Sequence, residues 1–394
     1  MRPTRNRLPA VMAREVVALA VVALAALTAV AGGTARAEDT FKVGSAVGLT
    51  GYAAVNDRNW RDGLLLAAEQ VNARGGILGR KVEVIVEDNR SQPQDAVVAY
   101  RKMLSSDQVQ VFNSGCVSAG NMAAAAFVAR AQVPMMLCSI LPQRPEEQAW
   151  AFSFLPPPAF EMETRYAYLR DHTGVRKIGL LTDPTPYSQL MHGFALKLAP
   201  QFGLEVAADE TYKPDDADAN VQLGRMNAAG AGAVVKLGQG GSTVTVAKNI
   251  RQLGLDRMLL MASTDDNGIF KSASEALPDR FFFIDSAVQF GADHLPAGTD
   301  KATVDAFLKP WTERYGDRDT GQGSRGYDSL MIVAKAAAAA NSVSGPALRD
   351  AIQAVGEYRG AGATYDFNAG QHVGITKNPY FVGRFVNGQA TPVQ

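Results

Sequence analysis

Phe41-Lys42-Val43-Gly44-Ser45-Ala46-Val47 runs into Gly48-Leu49-Thr50-Gly51, and this strand-like run ending in small residues decides the fold. Downstream, Trp60, Leu64, Ala67, Ala68 and Val71 share one face of a helix expected over 60–73. Gly75-Gly76 ends that helix, since glycine takes a left-handed cap at no steric cost. Val82, Val84 and Val86 then alternate with Glu83, Ile85 and Glu87 in a second strand. Ser91 and Asp95 bracket the start of a helix through 96–104, and strands expected at 109–112 and 133–137 flank a helix at 119–131. Strands spaced by helices in this way imply right-handed βαβ units and a parallel sheet.

The alternation restarts after Pro156-Pro157-Pro158, three prolines that fit inside neither kind of element. Helices are expected at 160–171, 187–199, 219–227 and 243–253, between strands at 177–181, 205–212, 233–237 and 257–261. A strand at 281–286, helices at 300–315 and 326–340, and strands at 363–367 and 380–387 follow. Neither set alone uses the late helices, so the chain is expected to cross between two halves more than once. The fold class is α/β: two doubly wound, Rossmann-like lobes with a ligand cleft at the carboxyl ends of their strands.

The 394 residues exceed one ordinary core, and 47% apolar with 20% charged is a globular balance. Lys plus Arg and Asp plus Glu both total 39, which leaves no basic excess for nucleic acid. Two cysteines exclude a disulfide scaffold, and His172, His192, His294 and His372 lack any metal-ligand spacing. Neither metal nor cofactor is expected. Arg2, Arg5, Arg7 and Arg14, the apolar run 16–31 and Ala35-Arg36-Ala37 read as a cleaved export signal over 1–37. That run is shorter than the ~20 residues of a comfortable membrane span. The remaining chain is slightly acidic, and a monomer in the periplasm is expected.

Candidate site residues lie at the strand ends. Asn113-Ser114-Gly115-Cys116-Val117-Ser118 opens into a helix, where Ser118 either only caps it or, with the free N–H groups behind it, offers a carboxylate site. Leu137-Cys138-Ser139, Asp183-Pro184-Thr185-Pro186-Tyr187, Gly238-Gln239-Gly240 and Ser263-Thr264-Asp265-Asp266 end other strands on the same side. Each alone is an ordinary turn; their value is collective. Enzyme readings fare worse: the Gly238–Ser242 loop lacks a Gly-Lys-Ser/Thr ending, Gly-x-Ser-x-Gly is absent, and no histidine sits near Cys116 or Ser118 as a base. Cys116 and Cys138 lie at the tips of neighbouring strands, and whether they pair is left open.

With these residues in view, the chain from about Phe41 to Asn387 resembles the branched-chain-amino-acid (Leu/Ile/Val) type of periplasmic solute-binding proteins of ABC importers. The resemblance rests on Gly48-Leu49-Thr50-Gly51, Val71-Asn72-Ala73-Arg74-Gly75-Gly76-Ile77-Leu78-Gly79-Arg80, Glu87-Asp88-Asn89, Gly326-Tyr327-Asp328 opening a late helix, and Asn387-Gly388. It implies a type I periplasmic binding protein fold, with lobes of 38–157 plus 285–345 and of 158–284 plus 346–394 joined by three crossings. It implies a small carboxylate solute, an inner-membrane ABC permease as partner, and no catalysis. Ser118 takes the place of the family's carboxylate-holding serine and Ser139 that of the next contact. Leu141 replaces a threonine usual in amino-acid binders. Gln239 lies near the place of a cleft tyrosine, Asp265 or Asp266 near that of an ammonium-binding acid, and Tyr52 and Tyr327 are aromatic walls. Cys116 and Tyr187 complete the candidate set. An acid without an amine is the alternative solute, and an exported hydrolase using Cys116 or Ser118 the remote one.

Overall fold

A computed structural model describes residues 40–291, Leu295 and 300–393. The expected export signal lies outside the described residues. The chain begins with β1 (Phe41–Val47), α1 (Ala54–Ala73), β2 (Val82–Asp88), α2 (Pro93–Lys102), β3 (Val111–Ser114), α3 (Ser118–Arg130), β4 (Met135–Leu137), a short α4 (Pro145–Gln148) and β5 (Ala151–Ser153). These strands form a parallel sheet in the order β2-β1-β3-β4-β5. β3 starts two residues later than expected: a π-helical turn over Met103–Asp107 and a left-handed Gln108 extend the preceding helix.

Next come α5 (Pro158–Tyr168), β6 (Lys177–Thr182), α6 (Pro186–Leu198), β7 (Glu205–Thr211), α7 (Asn220–Ala228), β8 (Ala233–Lys236), α8 (Ser242–Gln252), β9 (Leu259–Met261), α9 (Asn267–Ala276) and β10 (Phe281–Ser286). The chain then returns to the first sheet with α10 (Lys301–Tyr315), α11 (Thr320–Ala340), α12 (Gly345–Gln353) and the hairpin of β11 (Gly356–Arg359) and β12 (Thr364–Phe367). It ends on β13 (Tyr380–Val386) and β14 (Gln389–Val393), which add antiparallel to the second sheet. That sheet runs β14-β13-β10-β9-β8-β6-β7, parallel from β10 to β7. The chain therefore passes between the sheets three times: after β5, after β10 and before β13.

Each sheet is covered on both faces, as parallel strands require. One face of the first sheet packs Phe41, Val43 and Phe152 against Trp60 and Leu64 of α1 and Leu330 and Val333 of α11. Its other face packs Phe112 and Leu137 against Tyr100 and Val128. The second sheet likewise divides two cores, one around Phe270 and Phe283, the other around Met162, Tyr166 and Met191. The division read from sequence puts all of 346–394 with the second lobe, yet Leu348, Ile352, Tyr365, Phe367 and Ile375 lie in the first core. Residues 372–374 also bond along the free edge of β5: Ser153 N–H donates to the His372 carbonyl, and Gly374 N–H to the Ser153 carbonyl.

α11 starts at Thr320, six residues before the expected Gly326, because Asp319 caps it by accepting the N–H groups of Gly321 and Gln322. Its first turns are polar yet buried, so a hydrophobic pattern does not reveal them. Gly326-Tyr327-Asp328 consequently sits inside the helix, against α1. A Cβ on Gly326 would meet the Trp60 carbonyl, and one on Gly63 the Gly323 carbonyl, so these helices touch backbone to backbone. Tyr327 is core here, packed on Phe307 with its hydroxyl donating to Gln70 Oε1 at 2.7 Å; it is not a cleft wall. Asp328 accepts the N–H groups of Ala361 and Gly362, each at 2.8 Å, and the Tyr365 hydroxyl at 3.0 Å.

Two outcomes follow from this packing. Gly326→Ala is expected to cost about 3 kcal/mol, as overpacking that must push two backbones apart, and urea unfolding of the variant measures it. Burial also pushes Asp285 and Asp328 up to about 7, and Asp319 well above the usual carboxylate range through burial and the Asp285 charge. An acid whose value is raised on folding adds stability at low pH that is lost as pH climbs through the raised value. The melting temperature should therefore be higher at about pH 5 than at about pH 8; a calorimetric scan showing the reverse order would contradict it.

Candidate ligand site

Loops at the carboxyl ends of both sheets line one narrow pocket. Tyr52 comes from beyond β1, Cys116 and Ser118 from beyond β3, Asp183, Thr185, Pro186 and Tyr187 from beyond β6, Pro214 from beyond β7, and Gln239 from beyond β8. This is the strand-end placement expected of such sheets. The cavity is about 20 Å³, room for about one water, so the halves are nearly shut on each other.

On the first sheet's side, Cys116 and Cys138 form a disulfide with their Cα atoms 4.5 Å apart. It ties the tips of β3 and β4 together directly beneath Cys116. Ser118 is the first residue of α3 rather than its cap, and its hydroxyl makes no capping bond. Its N–H donates to the Cys116 carbonyl at 2.8 Å. The Cys116 N–H is also taken: it donates to Asp57 Oδ1 at 2.6 Å, while Asp57 Oδ2 accepts the Gly48 N–H at 2.6 Å. The N–H groups of Cys116 and Ser118 are thus taken by the chain itself, and Ser118 lines the pocket.

Ser139 lies one layer behind. Its hydroxyl accepts from Asn121 Nδ2 at 2.8 Å and its carbonyl accepts the Ser153 hydroxyl at 2.7 Å, so it braces the strand ends without lining the pocket. Asn121 also donates to the Gly115 carbonyl and accepts the Tyr100 hydroxyl, pinning the turn from below.

On the second sheet's side, Asp183 is buried, and its Oδ1 accepts both the N–H and the hydroxyl of Thr185, at 2.9 and 2.6 Å. Its Oδ2 lies against Gly238, where no Cβ would fit. Asp183 is the single charged side chain in the pocket lining. The Tyr187 hydroxyl donates to Glu161 Oε2 at 2.8 Å, and Glu161 pairs with the buried Arg165 at 2.8 Å. Gln239 donates from Nε2 to the Thr264 carbonyl at 2.8 Å, holding two strand-end loops together. Buried Lys236 donates to the Gly238 carbonyl at 2.7 Å and keeps that loop in place from below.

Asp265 and Asp266 lie outside the pocket lining and join the halves instead. Asp265 accepts the N–H of Gly240, a glycine required by its φ of 89°, and lies 3.5 Å from Asn56 Nδ2 of α1. Burial pushes the Asp265 carboxyl up to about 6. Asp266 caps α9 through the Gly268 N–H and accepts Asn59 Nδ2 of α1 at 2.8 Å. Arg318, in the same half as α1, donates to Asn59 Oδ1 and Asp62 Oδ2 and holds Asn59 in place. Their polar positions on an otherwise core-facing helix are the sequence signal that could have revealed Asn56, Asp57 and Asn59. Asp183 and Thr185 stand in a strand-end segment already singled out, and only the fold shows that they line the pocket.

The model of the family described as periplasmic binding protein matches residues 40–390. The leucine-, isoleucine-, valine-, threonine- and alanine-binding protein of Pseudomonas aeruginosa is 24% identical over 61% of this chain and 66% of its own length. A Leu/Ile/Val-binding protein homolog of Brucella abortus is 26% identical over 54% of this chain and 57% of its own length. The chain thus spans under two thirds of the length of these relatives. Among solved structures, the type 1 periplasmic binding protein of Bordetella pertussis superposes with a TM-score of 0.77 at 23% identity, over 90% of this chain and all of that one. The branched-chain amino acid transporter substrate-binding protein of Streptococcus pneumoniae, in complex with isoleucine, gives 0.75 at 21% identity, over 90% of this chain and 99% of that one. With its two parallel sheets, three crossings and strand-end pocket, the chain belongs to the periplasmic binding protein family and has the type I fold.

Proposed function

We propose that this protein is the extracytoplasmic substrate-binding component of an ABC importer, which captures a small amino acid between its halves and delivers it to a membrane permease. The observation that carries the reading is the pocket lining: the hydroxyl-bearing residues Ser118, Thr185, Tyr52 and Tyr187 with one carboxylate, that of Asp183, and no cationic side chain. An amine-bearing solute supplies the missing positive charge to Asp183, and its carboxylate meets the Ser118 hydroxyl at the positive end of α3. The curated relatives named for leucine, isoleucine and valine agree with this class.

Capture works by closure. Residues 40–155 with 300–375 move as one body and 156–291 with 376–393 as the other, and a solute that touches both favours the closed arrangement. The Asn59–Asp266 and Asn56–Asp265 contacts latch that arrangement shut. A covalent role for Cys116 is incompatible with its disulfide, and no histidine lines the pocket among the described residues. The export signal and a monomeric, periplasmic state belong to the same reading. The turning of Asp265 and Asp266 away from the pocket favours, as a second reading, an aliphatic or aromatic acid without an amine.

Calorimetric titration separates the two. L-Leucine is expected to bind and its deaminated analogue 4-methylpentanoate to bind at least about tenfold more weakly, and Asp183→Asn should cost leucine about 2 kcal/mol, the worth of a hydrogen bond to a charged group. Tighter binding of 4-methylpentanoate would instead establish the amine-free reading. Ser118→Ala should weaken either acid by about 1 kcal/mol, and an unchanged affinity would place the carboxylate elsewhere.

A further inference from the structure

Asp57 is fully buried beneath the pocket, yet the solute site as described gives it no task. The ionisable groups that act on it are Asp88 at the end of β2, Tyr52 in the loop after β1 and Tyr100 of α2, none of them a cation. The neighbouring Arg58 guanidinium is turned to the Leu49 carbonyl. A carboxylate buried without a counter-charge is costly and persists where its hydrogen bonds are needed. Its bonds run to two loops only: Oδ2 to the Gly48 N–H and Oδ1 to the Cys116 N–H, each at 2.6 Å. Those loops carry Tyr52 on one side and Cys116 and Ser118 on the other into the pocket. The fit is close enough that Gly115 has no room for a Cβ beside the carboxylate.

We propose that Asp57 is a positioning residue for solute capture: its ionised carboxylate clamps the Gly48 and Cys116 amides, so that Tyr52 and Ser118 are set in place before solute arrives. This rests on the reading of the cleft as a solute site. The carboxylate accepts at both oxygens, whereas protonation turns one oxygen into a donor facing an N–H and loosens the clamp. Solute affinity therefore falls as Asp57 takes up its proton. Burial pushes this carboxyl up to about 7, against the opposing pull of the two amides. The change thus falls in an accessible pH range. An amide in place of the carboxylate has one acceptor and one donor group, and reproduces the loosened state at every pH.

The test compares the whole exported chain with Asp57→Asn by calorimetry, using L-leucine as probe at about pH 5.5 and about pH 8.5. The original protein should bind roughly tenfold more tightly at the higher pH. The variant should be weaker by about the same factor at high pH and nearly independent of pH. A variant that matches the original protein at both pH values overturns the proposal. If L-leucine binds neither protein, the amino-acid reading fails, and the solute-free proteins decide the positioning claim. Amide NMR signals of Gly48, Tyr52, Cys116 and Ser118 should all move with Asp57→Asn. In the original protein alone they should move together across the same pH range, which serves if the variant does not fold. Signals of Tyr52 and Ser118 that stay fixed in these measurements overturn it.

Discussion

Main-chain amides at the ends of parallel strands have lost their ladder partners and, once buried, must find others. In this protein buried or half-buried carboxylates supply them. At strand ends Asp57 holds Gly48 and Cys116, Asp183 holds Thr185 and Asp265 holds Gly240; elsewhere Asp319 holds the first turn of α11, and Asp328 holds Ala361 and Gly362 in the turn of the antiparallel β11–β12 hairpin. Asp88, nearer the surface, does the same for Leu49 and Arg90. Each bridges segments far apart in the chain or freezes a turn. Bonds to a charged acceptor are about twice as strong as neutral ones, and in a low-dielectric setting they give loops the rigidity of sheets. The cost is electrostatic: burial pushes the carboxyls of Asp57, Asp265 and Asp328 up and so opposes their ionisation.

Polar contacts of the same kind also join the two halves across the cleft. The halves meet through Asn56 and Asn59 on one side and Asp265 and Asp266 on the other. Polar contacts of this kind exchange readily for water, which fits the closure proposed for capture. An apolar seam of the same extent would hold one state. The rigid parts lie elsewhere, in the glycine-mediated contact of α1 with α11 and in the disulfide beneath the pocket.

Much of the architecture was legible in the chain itself. Runs such as Phe41–Val47 and Ala233–Lys236 followed by small residues, with amphipathic helices between, require βαβ units, and the hand of the crossover then sends every following loop to one edge. Local periodicity also placed the segments of Cys116, Ser118, Tyr187 and Gln239 at that edge, where the pocket lies, and the family resemblance added Tyr52. The start of α11 was hidden because buried polar residues break the pattern, and Tyr327 was misplaced for the same reason.

What the amino-acid order determined by itself is the sequence of elements and the side of the sheets on which loops gather, because both depend on neighbours within about thirty residues. What only the tertiary structure decided is which carboxylate lines the strand-end pocket and which ones lie outside it. Asp57, Asp183, Asp265 and Asp266 are chemically the same group. Their roles diverge because each meets different partners: Asp183 holds Thr185 two positions away, whereas Asp57, Asp265 and Asp266 reach amides 9 to 209 positions away, and such long-range partners leave no local trace.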